Sequence, residues 1–325
     1  MTSTTARLRD GREITLRLIQ DPPSDLIPQI HHLLHHKPSP YSSHFDDFFE
    51  NSHEGIIEGL EWRFHLAFHE GVCIGNICTW EFQGIGILGH VYTHPDWRQL
   101  GLANHLLRFQ EQDFARRTGH LMALNTGYQS MPYQIYLKHG YEGVPGAPGA
   151  MLKSENPGFW EEIYQAPTVQ IAPLQWRHWP TANLLFLLED PVLIRAAGIR
   201  IYGQGSVEGP FIFNRRQLWG LDADYRGQAW ILETSGGNAA GWISLMWDPN
   251  WGYRDPHRVF DLFVHPNWRA EAHAFAATID IPAGTRSYST PEDPKNEVLE
   301  KLGLSLRGSI PSFFPGGQTL LVFQS

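Results

Sequence analysis

Cysteine is almost missing from this chain: 325 residues hold two, Cys73 and Cys78. They fall in one apolar stretch that reads as a strand, where alternation sets them on opposite faces, so they cannot bridge each other. A disulfide framework is excluded, and a reducing compartment is expected. Long apolar runs are missing too. No segment approaches the roughly 20 residues of a membrane span, and Met1 to Arg12 holds no apolar core of signal-peptide length. The expectation is a cytoplasmic protein with no membrane partner. Positive charge is also scarce, with 25 Lys and Arg against 34 Asp and Glu, a net charge of −9. Neutralising nucleic-acid phosphates needs the opposite balance, so no nucleic-acid partner is expected.

What is present suits a globular protein. Apolar residues make up 42%, charged residues 18% and aromatic residues 13%, spread along the chain, which supports a core and argues against long disorder. Ile14 to Ile19 alternates apolar and polar residues as a half-buried strand does. Leu26, Ile27, Ile30, Leu33 and Leu34 follow at helical spacing, and a second short helix is expected around Phe45 to Phe49. Phe64–Phe68, Val72–Phe82 and Ile85–Thr93 read as strands joined tightly at Glu70-Gly71 and near Gly84, hence an antiparallel meander. Leu102, Leu106, Leu107 and Phe114 mark the inner face of a helix from Leu102 to about Arg117, ended by Thr118-Gly119. A strand from His120 to Thr126 leads to a short helix from Pro132 to His139, with Pro132 in its first turn and Gly140 at its stop. The Pro- and Gly-rich text from Val144 to Pro157 contains Ala150-Met151-Leu152, a candidate last strand. This order is a mixed α/β layer and not a series of uniform βαβ crossovers.

The second half repeats the first. Val91-Tyr92-Thr93-His94-Pro95-Asp96-Trp97-Arg98 aligns with Leu262-Phe263-Val264-His265-Pro266-Asn267-Trp268-Arg269. Gly75 to Trp80 resembles Gly241 to Trp247, and Lys138-His139-Gly140-Tyr141 aligns with Lys301-Leu302-Gly303-Leu304. Order and spacing hold over about 75 residues, so two related domains are expected, residues 1–165 and 166–325.

Between the third meander strand and the amphipathic helix stands Pro95-Asp96-Trp97-Arg98-Gln99-Leu100-Gly101-Leu102-Ala103. The first N–H groups of a helix lack internal partners and the helix dipole favours negative charge there, so such a turn suits an anion. Gly101 permits close backbone approach and Arg98 adds positive charge. The loop is neither a Walker loop nor a G-x-G-x-x-G turn.

This loop, set between a meander and a helix and followed by a strand and a short helix bearing Tyr136 ahead of Lys138-His139-Gly140-Tyr141, resembles the GNAT acetyltransferase superfamily. Its loop pattern Arg/Gln-x-x-Gly-x-Gly/Ala is filled by Arg98, Gly101 and Ala103, and Thr93-His94-Pro95 stands where the family ends its strand in Val-x-Pro. The resemblance covers Ile14 to Gly143 and is strongest from Val91 to Tyr141. It implies an α/β (α+β mixed sheet) fold, two tandem GNAT-like acyl-CoA N-acyltransferase domains. It also implies acetyl-CoA as cosubstrate, no metal, and acetyl transfer to the primary amine of a small molecule or peptide by direct attack in a ternary complex. The backbone of Gln99, Leu100, Gly101, Leu102 and Ala103 is implied to hold the pyrophosphate, and Val91 and Thr93 the pantetheine arm. Gln129 stands where the family often has Asn. Tyr136 is implied as general acid. The base is a choice between His90, beside the pantetheine strand but on the opposite face from Val91, and Glu81 at the end of the preceding strand.

In the second half Arg269-Ala270-Glu271-Ala272-His273-Ala274 replaces the loop. The glycine is gone, Glu271 adds a carboxylate, and Leu299 aligns with Tyr136. A decayed, non-catalytic copy is expected, acting as a fixed internal pseudo-dimer partner in a monomer or a homodimer. The competing readings are a non-catalytic acyl-CoA-binding sensor or interaction protein, and an enzyme whose Arg98 loop binds another phosphorylated ligand. His31, His32, His35 and His36 form i,i+4 pairs of a kind that can hold zinc, but with no third ligand type nearby they read as a solvated cluster. The strand tryptophans Trp80, Trp230, Trp242 and Trp247 read as packing, as do Trp97 and Trp268 beside the two loops.

Overall fold

A computed structural model describes residues 3–34, 49, 52, 54–156, 158–214, 227–248 and 257–325. Most of the helix expected around Phe45 to Phe49, and His35 and His36, lie outside the described residues; His31 and His32 sit on the first helix. The chain divides into two compact units, residues 1–144 with 148–159, and residues 145–147 with 160–325.

In the first unit the strands β1 (Ser3–Arg7), β2 (Glu13–Ile19), β3 (Ile56–Ile57), β4 (Leu60–His69), β5 (Val72–Phe82), β6 (Ile85–Thr93), β7 (Leu121–Asn125), β8 (Glu142–Gly143) and β9 (Ala150–Ser154) form one mixed sheet. Their order is β1-β2-β4-β5-β6-β7-β9-β8, with β3 paired to β4. All pairings are antiparallel except β6 with β7. Helix α1 (Ile27–Leu34) lies against β5, and α2 (Leu102–Arg116) packs across β4, β5 and β6. Helix α3 (Met131–Lys138) follows β7.

The local causes are plain. The α2 side chains Leu102, Leu106, Leu107, Phe109 and Phe114 recur at helical spacing and are buried with Ile74, Leu88 and Met122 of the sheet. Each fully buried leucine contributes about 2 kcal/mol of transfer free energy. Thr118 in the left-handed region (φ 56) stops the helix, and Gly119 N–H returns to the Phe114 carbonyl at 3.0 Å. Ser130 caps α3 by accepting from Tyr133 N–H at 3.4 Å, Pro132 fits its first turn, and Gly140 (φ 82) follows its end.

The second unit has the strands β10 (Val169–Pro173), β11 (Ile194–Ala196), β12 (Ile201–Tyr202), β13 (Gln228–Thr234), β14 (Ala239–Trp247), β15 (Arg258–Val264), β16 (Arg286–Ser289), β17 (Ser305–Ile310) and β18 (Leu320–Gln324). Its main helices are α4 (Trp179–Leu187), α5 (Glu208–Phe213), α6 (Ala272–Ala276) and α7 (Lys295–Lys301). Its larger sheet runs β10-β13-β14-β15-β16-β18-β17, antiparallel throughout except β15 with β16. That is the order and sense of β2-β4-β5-β6-β7-β9-β8 in the first unit. The two Lys-x-Gly helix ends also agree, with φ 82 at Gly140 and 84 at Gly303. Both units are thus mixed α/β layers around a single parallel pair.

Candidate functional site

The parallel pair of the first unit is short. β6 and β7 are in register only at Ile85, Gly86 and Ile87, opposite Leu121, Met122 and Ala123. Beyond Ile87, β6 continues to Thr93 without β7 beside it. The divergence coincides with a bulge. Asn76 pairs with Tyr92 and Cys78 with Gly89, so His90 and Val91 together oppose Ile77. His90 takes φ 51, and its carbonyl accepts from the side-chain amide of Asn76 at 3.0 Å. Asn76 is fully buried, so this bond fixes a bulge that would otherwise leave a carbonyl unsatisfied.

The bulge keeps the two faces distinct. The His90 ring meets Trp80 at 5.6 Å, while Val91 packs against the core under α2. Thr79 and Glu81, either side of Trp80, belong to the α2 face, since Glu81 bonds the α2-terminal Arg117 and Thr79 bonds Glu81. His90 is 4% exposed.

At the end of β6 the chain enters the loop. His94 accepts from Asp96 N–H at 3.4 Å and starts a 3-10 turn, Pro95–Trp97. Trp97 stacks under Arg12 at 3.8 Å and beside His69 at 4.8 Å, a packing role. The backbone then turns twice into the left-handed region, at Gln99 (φ 63) and Gly101 (φ 90), before α2 begins. Gly101 is the N-cap residue, and no side chain caps the helix. The carbonyls of Gln99 and Leu100 are taken by Arg9, whose Nη1 reaches Gln99 O at 3.3 Å and whose N–H reaches Leu100 O at 3.1 Å. Among the described residues, no partner is found for the N–H groups of Gln99, Leu100, Gly101, Leu102 or Ala103. Consecutive open N–H groups at a helix N-terminus form a concave donor array for an anion. A Cβ on Gly101 would meet nothing nearer than Arg9, at 3.9 Å, so the space before the array is open. Arg98 is exposed and its Nε donates to Thr93 O at 3.3 Å.

Of the other expected site residues, Tyr136 lies on α3 in the same core, 6% exposed, with its ring 5.7 Å from that of Tyr141. Gln129 is exposed and sits at φ 56 just before the cap Ser130. A short polar residue tolerates that conformation best, which explains the usefulness of Asn there.

Glu81 requires a correction. Its carboxylate accepts from Arg117 Nη1 at 2.5 Å and Nη2 at 3.0 Å, and from the Thr79 hydroxyl at 2.6 Å, with Arg63 Nε at 3.9 Å. Its cross-strand partner Gly86 lies four residues before His90, roughly 13 Å along the strand. Glu81 belongs instead to a charged cluster with Asp113, His65, Arg63 and Glu61, beside a cavity of about 280 Å³ at the C-terminal end of α2. The structure therefore places Glu81 as an ion-pair partner of Arg117, away from the bulge at His90.

Sequence reasoning missed Arg9. The one signal was the turn itself: Asp10-Gly11, just ahead of the alternating β2, is a hairpin turn, which folds β1 back on β2 and carries Arg9 to the loop.

The corresponding loop in the second unit starts alike. His265 accepts from Asn267 N–H at 3.2 Å with backbone angles close to those of His94. It then winds without interruption through a 3-10 helix, Pro266–Glu271, into α6, with no left-handed residue. Arg269 is ion-paired with Asp190. The pairing of β14 with β15 is unbroken from Gly241↔Val264 to Trp247↔Arg258, so this strand has no bulge.

Comparison with known proteins bears on the first unit. The family profile described as acetyltransferase (GNAT) domain matches residues 61–143. No curated protein matches the sequence. Solved structures that align include the PaiA N-acetyltransferase of Thermoplasma acidophilum in complex with coenzyme A (14% identity, 43% of this chain and 98% of that one, TM-score 0.34). Another is the ribosomal-protein-S18-alanine N-acetyltransferase of Escherichia coli (14%, 42% and 90%, TM-score 0.33). A third is an aminoglycoside 6′-N-acetyltransferase complexed with coenzyme A (14%, 44% and 97%, TM-score 0.33). At these scores the alignments add no weight, and the assignment rests on the profile. The bulged strand, the open loop, α2, β7 and α3 all fall within residues 61–143, and this segment of the chain is an acetyltransferase domain of the GNAT family.

Proposed function

We propose that the first unit binds acetyl-CoA across the opening between β6 and β7 and transfers its acetyl group to a primary amine. The observation that carries this reading is the alignment of three features on one strand and its loop: the bulge at His90, the loss of the β7 partner beyond Ile87, and the open N–H array at Gly101. The diphosphate lies on the N–H groups of Gln99 to Ala103. The pantetheine arm takes the place of a strand beside β6, with its amides on the backbone of Val91 and Thr93. Residues two apart present their backbone groups to the same side, which is why this pair serves. Gln129 borders the arm from the start of α3.

The amine attacks the thioester carbonyl directly, the tetrahedral intermediate collapses, and CoA leaves as a thiol. Tyr136 supplies the proton to sulfur. A thiol of ordinary pKa ~8.5 leaves readily, so loss of this acid lowers the rate modestly, by about tenfold to a hundredfold. His90, at the bulge on the face away from α2, takes the proton from the amine, directly or through water. The acceptor is a small-molecule or peptide amine.

The second unit is a decayed copy that binds no acetyl-CoA in this manner. Its strand lacks the bulge, its loop is closed into helix, its Arg269 is committed to Asp190, and Leu299 replaces the tyrosine. The test is calorimetric titration with acetyl-CoA. One equivalent per chain supports the reading; two equivalents, or none, overturn it.

A further inference from the structure

The β1–β2 hairpin lies outside the matched segment, yet it delivers a cation to the loop. Arg9 sits at the hairpin turn, tied to the loop twice through Leu100 O and Gln99 O. Its guanidinium stands beside Gly101, with Nε 3.9 Å from the position a Cβ would take there. The neighbouring Arg12 is neutralised by Asp10 at 2.6 Å and lies over Trp97. Among the described residues, no carboxylate lies within ion-pair distance of Arg9. One Nη1 bond to Gln99 O leaves the rest of a five-donor fork uncommitted. An uncompensated guanidinium beside open N–H groups is a site for a doubly charged oxyanion.

We infer that Arg9 is a ligand of the acetyl-CoA diphosphate, so that the N-terminal hairpin completes the anion site begun by the α2 N-terminus. This rests on the acetyl-CoA reading above. Arg9 and the loop fix each other: the hairpin is held by the carbonyls of Gln99 and Leu100, which keeps both chain segments in place before the ligand arrives.

The experiment is calorimetric titration of wild type, Arg9→Gln and Arg9→Lys with CoA and dephospho-CoA, with pantetheine binding followed by ligand-observed NMR. Arg9→Gln keeps an amide donor for the Gln99 carbonyl but removes the charge. The expected result is about tenfold weaker binding of CoA and of dephospho-CoA alike, with a shallower salt dependence, and unchanged pantetheine binding. Arg9→Lys recovers part of the affinity. Equal CoA affinity in wild type and Arg9→Gln overturns the inference and leaves the acetyl-CoA reading intact. A loss for CoA that vanishes with dephospho-CoA assigns Arg9 to the 3′-phosphate and overturns the diphosphate contact. A parallel loss for pantetheine shows that the substitution deforms the loop, and overturns it too. Wild type that binds no CoA removes the reading itself.

Discussion

Removing Arg117 separates a structural role for Glu81 from a catalytic one. Arg117 gives Glu81 two bonds and reaches Asp113 at 2.9 Å, and the side chains of Glu81 and Asp113 are only 4% and 6% exposed. Arg117→Leu leaves two buried carboxylates with only distant guanidinium groups, Arg63 at 3.9 Å from Glu81 and Arg116 at 3.9 Å from Asp113. Breaking a buried pair costs about 3–5 kcal/mol. Arg117 itself is 27% exposed, and water screens part of that cost, so we expect about 3 kcal/mol. That is a large share of the 5–15 kcal/mol typical of a domain. Glu81→Gln removes the charge and keeps an acceptor, and it costs about 1–2 kcal/mol. The double variant Glu81→Gln/Arg117→Leu then costs less than the sum by about 1–2 kcal/mol, because the uncompensated charge is gone. Urea denaturation monitored by tryptophan fluorescence measures all three, with an unchanged slope as the sign that folding remains cooperative. Additive costs, within about 0.5 kcal/mol, would refute the ion-pair account. So would a fall in turnover of about a hundredfold or more in Glu81→Gln with stability unchanged, which is the mark of a general base.

Asp113 sets an acid limit on stability. Burial raises its pKa, but the hydrogen bond from His65 and the charge of Arg117 outweigh burial and hold the carboxyl down to about 2. A folded pKa below the unfolded one, about 3.9, gives stability that is complete above the unfolded value and is lost as pH falls from there towards 2. Asp113→Asn should flatten the pH dependence of the denaturation midpoint in that window. Asn76→Leu strands the His90 carbonyl, so we expect a loss of about 1–3 kcal/mol in denaturation and weaker acetyl-CoA binding by calorimetry. Burial pushes the Cys73 thiol up to about 12 and raises Cys78 further, so neither should react with a thiol reagent at pH 8 until the protein is unfolded.

The sheet was legible because its signals are local. Apolar stretches from Val72 to Thr93, joined by tight glycine turns, marked β5 and β6, and Leu102, Leu106, Leu107 and Phe114 marked α2. The short stretch Ala150-Met151-Leu152 is β9, an inner strand between β7 and β8. The positions that depend on distant residues were harder. The bulge leaves no mark in composition, because it arises from a one-residue mismatch between two strands and a bond from Asn76. The role of Glu81 is decided by Arg117, 36 positions away, which only the docking of α2 brings close. Arg9 is decided by a hairpin whose strand β1, polar and exposed, lacks the apolar alternation that betrays the others. In the second half, Ala272 stands where the first has Gly101, and the chain, with no left-handed residue there, winds straight into helix.

The central claim is that the first unit alone holds acetyl-CoA, at the α2 N-terminus. Acetyl-CoA titrated into wild type, Gly101→Glu and Ala274→Glu tests it most directly. Gly101→Glu places a carboxylate and a strained left-handed side chain in the anion site, whereas Ala274 is an exposed position on α6 of the second unit. The account predicts one equivalent bound by wild type and by Ala274→Glu, and none by Gly101→Glu. Retained binding in Gly101→Glu, or binding lost only in Ala274→Glu, would contradict it.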